Sequence, residues 1–234
     1  MTLLELNNIS YWYKHENKRH DILQNISISF ERGRFYTIVG PSGSGKTTFL
    51  ALASALDVPK EGTILYDGKE IRKIGLTKFR SQYVSIVFQS YNLLPYMTAL
   101  QNVLTGIEIK GTKRKNKKEF ALQMLERVGI SAEQARQKVL TLSGGQQQRI
   151  SIARALCSDT NLIVADEPTG NLDESTAQEI VDLLQSLAHQ EGKCVIVVTH
   201  DQTIASKSDT IVKLSKGKLT LMDNMKRPFP LTQQ

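Results

Sequence analysis

Long apolar stretches are missing from this chain. Its longest strongly apolar runs are five or six residues, and a membrane-spanning helix needs roughly 18 or more. The sequence therefore predicts a polypeptide with no membrane span of its own. The N-terminus, Met1-Thr2-Leu3-Leu4-Glu5, lacks the basic segment and apolar stretch of a signal peptide. Cysteine is scarce, with Cys157 and Cys194 the only two. Both stand in apolar helical or strand contexts, which reads as buried thiols in a reducing compartment, not a disulfide or a metal pair. Internal repeats and low-complexity linkers are absent too. At 234 residues the chain can bury a substantial core as one domain, or as one domain with an inserted lobe.

What is present begins with charge. The formal net charge is +7. A basic run from Lys110 to Lys118 carries Lys113, Arg114, Lys115, Lys117 and Lys118. A solvated loop and helix start is the simpler reading; attraction to an anionic membrane leaflet or an acidic partner loop is the other. No aromatic residues interleave with these charges, so nucleic acid is not an expected partner.

Gly40-Pro41-Ser42-Gly43-Ser44-Gly45-Lys46-Thr47 is a P-loop. It follows the apolar, β-prone run Phe35 to Val39, which predicts a buried strand. The apolar-rich stretch Thr48 to Leu56 then predicts a helix. Between strand and helix, the glycines let backbone N–H groups turn inward and cradle phosphate oxygens at the positive end of the helix. Residues Gly40 through Thr48 are thus the candidate nucleotide-binding loop. Lys46 is expected on the β- and γ-phosphates and the Thr47 hydroxyl on Mg²⁺. A plain Gly-rich turn is the competing reading, and the strand and helix on either side argue against it.

Asp166 ends a second apolar strand, Asn161 to Ala165. A carboxylate there can hold the Mg²⁺ shell. Glu167 is expected to point elsewhere, because neighbours at a strand end alternate faces. Two adjacent acids can then do separate work, Asp166 for the metal and Glu167 for the attacking water. Ser143, in Leu142-Ser143-Gly144-Gly145-Gln146, is a natural N-cap for a helix whose face carries Ile150, Ala153 and Leu156. That helix start, with two glycines, is a second candidate anion site.

The order of these motifs, with Gln89 after Val84 to Phe88 and His200 after Cys194 to Val198, resembles the nucleotide-binding subunits of ABC transporters. The resemblance runs from about Leu3 to Leu221. It implies that Gln89 contacts Mg²⁺ and water, that His200 contacts the γ-phosphate, and that an aromatic stacks on adenine. Tyr13 has the matching spacing, and Tyr11 and Trp12 stand close enough to compete. It implies that Ser143, Gly144, Gly145 and Gln146 serve the ATP of a second copy in a head-to-tail homodimer. Asp173 would cross that interface. The stretches Val87 to Pro95 and Ala165 to Asp173 resemble the subgroup of macrolide exporters, lipoprotein-release ATPases, antimicrobial-peptide transporters and the cell-division ATPase. The implied function is an ATPase that energises a separate integral-membrane permease at the cytoplasmic face, exporting or releasing peptide, antibiotic or lipoprotein-type cargo. A non-transporting regulator of a membrane partner is the alternative. A soluble ABC ATPase acting on DNA or ribosomes usually carries two cassettes or a long coiled-coil insertion, and a P-loop kinase needs no second anion cradle.

The elements follow. Leu3 to Tyr13, Ile22 to Phe30 and the hairpin Thr63 to Ile71, with an Asp-Gly turn, predict an antiparallel lobe. Phe120, Met124 and Val128 at helical spacing, with Gly129 as a stop, predict a helix, and Leu172 to Gln190 another. Strand and helix alternation predicts an α/β fold: a P-loop NTPase (RecA-like) parallel-sheet core, an N-terminal antiparallel β lobe and an inserted α-helical lobe. The expected division is 1–90 and 157–225 for β lobe and core, 91–156 for the helical lobe, and a loosely held tail, 226–234.

Overall fold

The computed structural model describes residues 1–16, 18–111, 115–157 and 160–223. Lys113 and Arg114 of the basic run and the tail from Lys226 lie outside the described residues. Ten strands are described: β1 (Thr2–His15), β2 (Lys18–Glu31), β3 (Phe35–Val39), β4 (Glu61–Tyr66), β5 (Lys69–Glu70), β6 (Val84–Val87), β7 (Leu162–Asp166), β8 (Cys194–Val198), β9 (Thr210–Ser215) and β10 (Lys218–Asp223). The helices are α1 (Lys46–Ala53), α2 (Ile71–Ile74), α3 (Leu76–Gln82), α4 (Ala99–Ile109), α5 (Lys117–Arg127), α6 (Gly144–Leu156), α7 (Glu174–His189) and α8 (Gln202–Lys207). Among the described residues no helix is long and apolar enough to cross a membrane.

Two sheets organise the molecule. The first is antiparallel, in the order β2-β1-β4-β5. Its inner face is set by period-two alternation: Ile26, Ile28 and Phe30 of β2 are buried, and across from them lie Ile9, Leu6 and Leu4 of β1. The Asp67-Gly68 turn between β4 and β5 has positive φ at both residues, the geometry a two-residue hairpin favours. The second sheet runs β10-β9-β3-β8-β7-β6. All neighbours in it are parallel except β10, which pairs antiparallel with β9 at the edge.

The central strands read as unbroken apolar runs because both faces are covered. Leu162 and Val164 of β7 belong to a core shared with β1, β2, β4 and α1. Ile163 and Ala165 face a second core, built from α4, α5, α6 and α7. Parallel strands also place their carboxyl ends on one edge, where open α/β sheets collect their ligands. The chain leaving that edge carries Gly40 after β3, Gln89 after β6, Asp166 and Glu167 at the end of β7, and His200 after β8.

Element ends differ from expectation where local chemistry intervenes. Helix α1 starts at Lys46 and stops at Ala53. The Ser54 hydroxyl donates back to the Leu50 carbonyl, at 2.7 Å, and Ala55 turns left-handed at φ 56°. In α5 the fully buried residues are Ala121 and Leu125, while Phe120 and Met124 pack only partly against the core. Residues 91–98 are not helical, and Tyr91 and Asn92 both have positive φ. That irregular stretch is pinned by Asn102, fully buried in α4. Its carboxamide accepts from Leu94 N at 2.7 Å and donates to Leu94 O and Thr98 O, both at 3.1 Å.

Replacing Asn102 by Ala leaves the Leu94 N–H and two carbonyls without these partners. We expect a loss of about 2 kcal/mol and a melting temperature lower by roughly 4–8 °C. Differential scanning calorimetry measures this, and an unchanged melting temperature would show that the loop holds itself.

Candidate active site

The P-loop wraps a primary amine. Lys46 Nζ donates to Gly40 O at 2.8 Å and to Pro41 O at 3.1 Å, so the side chain folds back along its own loop. Gly45 caps α1 from the left-handed region at φ 102° with no side-chain hydrogen bond, which leaves the first-turn N–H groups for a ligand. The Ser44 hydroxyl is buried and has no hydrogen-bond partner among the described residues. Two glycines are required by close approach. A Cβ on Gly40 would sit 2.2 Å from Leu214 O, and one on Gly45 would sit 3.0 Å from Ile22 Cγ2.

A cavity of about 370 Å³ opens over this loop. Ser42, Gly43, Gly45, Lys46, Thr47 and Thr48 line one side; Gln89, Asp166 and Glu167 line the other; Ile22 of β2 closes it. Fold contacts alone therefore bring together half of the residues singled out from the sequence, while Gly40, Pro41, Ser44 and His200 lie outside the lining. Asp166 is half-buried, and burial raises its carboxyl above the ordinary range; the neighbouring Glu167 charge adds to this and Lys46 opposes it. Glu167 does not follow strand alternation, a departure from expectation. Strand β7 ends at Asp166, and Glu167 adopts a left-handed backbone at φ 42°. Its carboxylate is held twice: Oε2 accepts from Thr199 Oγ1 at 2.8 Å, and Oε1 lies 2.8 Å from His200 Nδ1. Behind it, the Gln89 carboxamide lies against Gly170, 3.0 Å from where a Cβ would stand.

Tyr13 and residues 143–146 do not line this cavity. Ser143 and Gln146 form a reciprocal cap on α6: the Ser143 hydroxyl accepts from Gln146 N at 3.3 Å, and Gln146 Oε1 accepts from Ser143 N at 2.9 Å. The P-loop cavity and the capped start of α6 therefore sit on separate parts of one chain. Tyr13 is 53 % exposed, whereas Tyr11 is 3 % exposed and donates its hydroxyl to Asp57 Oδ2 at 2.5 Å. That bond, first, and burial raise the Tyr11 hydroxyl well above its usual range. Trp12 carries the Arg19 guanidinium over its ring at 3.8 Å. Tyr13 packs edge to face with Tyr11, ring centroids 5.2 Å apart, and is the more exposed of the two tyrosines. Ile22 and Thr199 were not foreseen. Nothing in the sequence separates Ile22 from an ordinary core residue, and Thr199 had only its place before His200 as a signal.

Comparison with known proteins gives the family. Residues 23–170 match the family model described as ABC transporter. The chain belongs to that family. This ABC ATPase is 66% identical over 225 residues to an uncharacterised ABC transporter ATP-binding protein of Bacillus subtilis, YclH, covering 96% of the chain and 99% of its relative. It is 38% identical to the macrolide export ATP-binding/permease protein MacB of Aggregatibacter actinomycetemcomitans, covering 97% of the chain but 35% of that longer protein. Two dimeric structures of the cassette MJ0796, from Methanocaldococcus jannaschii, match with a TM-score of 0.87. The first is 37% identical and covers 97% of this chain and 100% of that one. The second is described as a post-hydrolysis state bound to ADP and Pi. The chain is the ATP-binding subunit of an ABC transporter, with ATPase activity.

The Gly45 contact gives a direct test. Gly45→Ala forces φ 102° on a residue with a Cβ and presses that atom on Ile22 and Leu23. We expect about 1–2 kcal/mol lower stability, read by chemical denaturation. ATP affinity should fall roughly tenfold or more, the scale of one lost charge-assisted contact, read by titration.

Proposed function

We propose that this ABC ATPase binds ATP with Mg²⁺ in the P-loop cavity and works as a homodimer on a separate integral-membrane permease. The convergence of Lys46, Thr47, Asp166, Glu167 and Gln89 on one cavity carries the reading. The donor set suits a hard divalent cation: the Thr47 hydroxyl and the Asp166 carboxylate, with Gln89 nearby. When bound, Mg²⁺ neutralises phosphate charge as the terminal bond breaks. Lys46 leaves its loop carbonyls for the phosphate oxygens, and the first-turn amides of α1 donate to them. Glu167 orients the attacking water and accepts its proton, while His200 supports the γ-phosphate from the same rim. Tyr13 stacks on the base. Ser143, Gly144, Gly145 and Gln146 complete the site of the partner copy, and Asp173 lies at the interface. The dimeric MJ0796 structures support that pairing.

The cassette acts as a single domain, with residues 1–90 and 157–225 as β lobe and nucleotide core and 91–156 as the helical lobe. The segment after Gln89 divides by exposure. Leu93 and Leu100 pack against the core, whereas Leu94, Tyr96 and Met97 are exposed, Tyr96 by 83 %. Beside them a second cavity, of about 310 Å³, is walled by Ile86, Asn92, Leu94, Ile109, Lys110 and Arg154. A permease helix docks there, at the cytoplasmic face of the membrane, and its movement follows Gln89. The likeness to MacB, a macrolide exporter, favours export, and peptide, antibiotic or lipoprotein-type cargo is the reading we propose.

Glu167→Gln is expected to keep ATP binding and slow hydrolysis by about 10²-fold or more. Lys46→Ala should instead weaken binding. Measuring the affinity and turnover of both variants separates these effects, and near-normal turnover in Glu167→Gln would remove that residue from its role. For the docking segment, Tyr96→Glu and Leu94→Glu should fold with unchanged melting temperature yet fail to co-purify with the permease from membranes. Retained coupling in both variants would move the docking site elsewhere.

A further inference from the structure

Thr199 is fully buried at the end of β8, between the P-loop strand and the catalytic rim. Its backbone N–H donates to Ile38 O in β3 at 3.1 Å. Its hydroxyl has two partners with fixed directions. Asp201 N donates to Thr199 Oγ1 at 3.0 Å, which uses an oxygen lone pair. The hydroxyl proton is then free to go to Glu167 Oε2, at 2.8 Å, and an ionised carboxylate can only accept. Threonine is stiff at χ1, so this donor does not wander. On the other side, Glu167 N donates to Val198 O at 2.8 Å, so backbone and side chain of Glu167 are both anchored on the end of β8.

We propose that Thr199 is a positioning residue for hydrolysis, locking Oε2 of Glu167 inside so that Oε1 is the oxygen that meets water. Oε1 lies 2.8 Å from Nδ1 of His200, whose side chain is 74 % exposed, and Glu167 itself lines the nucleotide cavity. A glutamate has three side-chain torsions, and ordering them before the reaction removes a cost from the catalytic step. The bond does not touch the phosphate cradle, so its effect falls on turnover and not on nucleotide affinity. The inference rests on Glu167 being the base.

The test compares Thr199→Val, which keeps the branched shape, with Thr199→Ser, which keeps the hydroxyl. For Thr199→Val we expect kcat lower by roughly 10-fold or more, the scale of one hydrogen bond to a charged group. KM for ATP should stay close to that of the unaltered protein, while the melting temperature falls by a few degrees, because Asp201 N loses its acceptor. Thr199→Ser should retain most of the turnover. Should the valine variant not fold, Thr199→Ser against Thr199→Ala makes the same comparison, since those two differ by the hydroxyl alone. In a Glu167→Gln background, measured by single turnover, adding Thr199→Val should slow the reaction no further. Unchanged kcat in Thr199→Val would overturn the proposal, as would a serine variant as slow as valine. So would full additivity with Glu167→Gln, which would place the effect in α8 or His200. Normal turnover in Glu167→Gln alone would instead overturn the reading of Glu167 as base.

Discussion

The pairing of β7 with β8 is the constraint on which the rest depends. Its register sets Asp166 opposite Val198 and Ala165 opposite Val197. From that alignment Glu167 leaves β7 beside the point where Thr199 and His200 leave β8. A slip of one residue would turn every side chain to the other face of the sheet. Leu162 and Val164 would exchange cores with Ile163 and Ala165, and the carboxylates would lose the P-loop as their neighbour. Buried apolar surface on both faces therefore fixes the position of the charged residues at the edge. The energy of the site's alignment is mostly hydrophobic, though the site itself is polar.

The helical lobe is tied to this core through charged side chains as well as packing. Arg127 of α5 pairs with Glu191 beyond α7, and Arg149 of α6 pairs with Glu179 of α7. Arg149 also donates to Val128 O at 2.9 Å, joining the end of α5 to α6. Arg154 reaches the carbonyls of Asn92 and Tyr91 at 2.6 and 3.0 Å, so α6 grips the segment that follows Gln89. Burial lowers the Arg154 guanidinium from its ordinary range. A helix that begins at Ser143 thus contacts, near its other end, the loop proposed to meet the permease. Helix α6 therefore joins the Ser143 cap to the segment after Gln89 as one element.

Several features were legible because local rules suffice for them. The P-loop needs a strand, glycines and a helix start in sequence, and Phe35 to Ala53 supplies them in that order. The Asp67-Gly68 turn needs two residues that tolerate positive φ. The apolar face of α7 needs only helical spacing, and Ile180, Leu184 and Leu187 are all buried as that spacing implies, although the helix starts at Glu174 behind an Asp173 cap and not at Leu172. Other features depended on partners far away in sequence. Tyr11 and Tyr13 stand two apart on one strand with their rings edge to face, centroids 5.2 Å apart, and only Asp57 and the β2–β1–β4 packing decide which of them is buried. The sheet buries Tyr11 and leaves Tyr13 exposed.

What the sequence determined by itself was the chemistry present and its order along the chain: an amine in a glycine loop, adjacent carboxylates after a strand, a capped helix with two glycines, a histidine after an apolar run. Each follows from neighbours a few residues apart. Tertiary structure decided which of these groups share a cavity and which atom faces which. Ile22 closes the nucleotide cavity because β2 lies across Gly45, although more than twenty residues separate them in the chain. Thr199 grips one oxygen of Glu167 because β8 lies beside β7. A hydrogen bond of under 3 Å between strands is a property of the sheet's register, and register is set by the whole core at once.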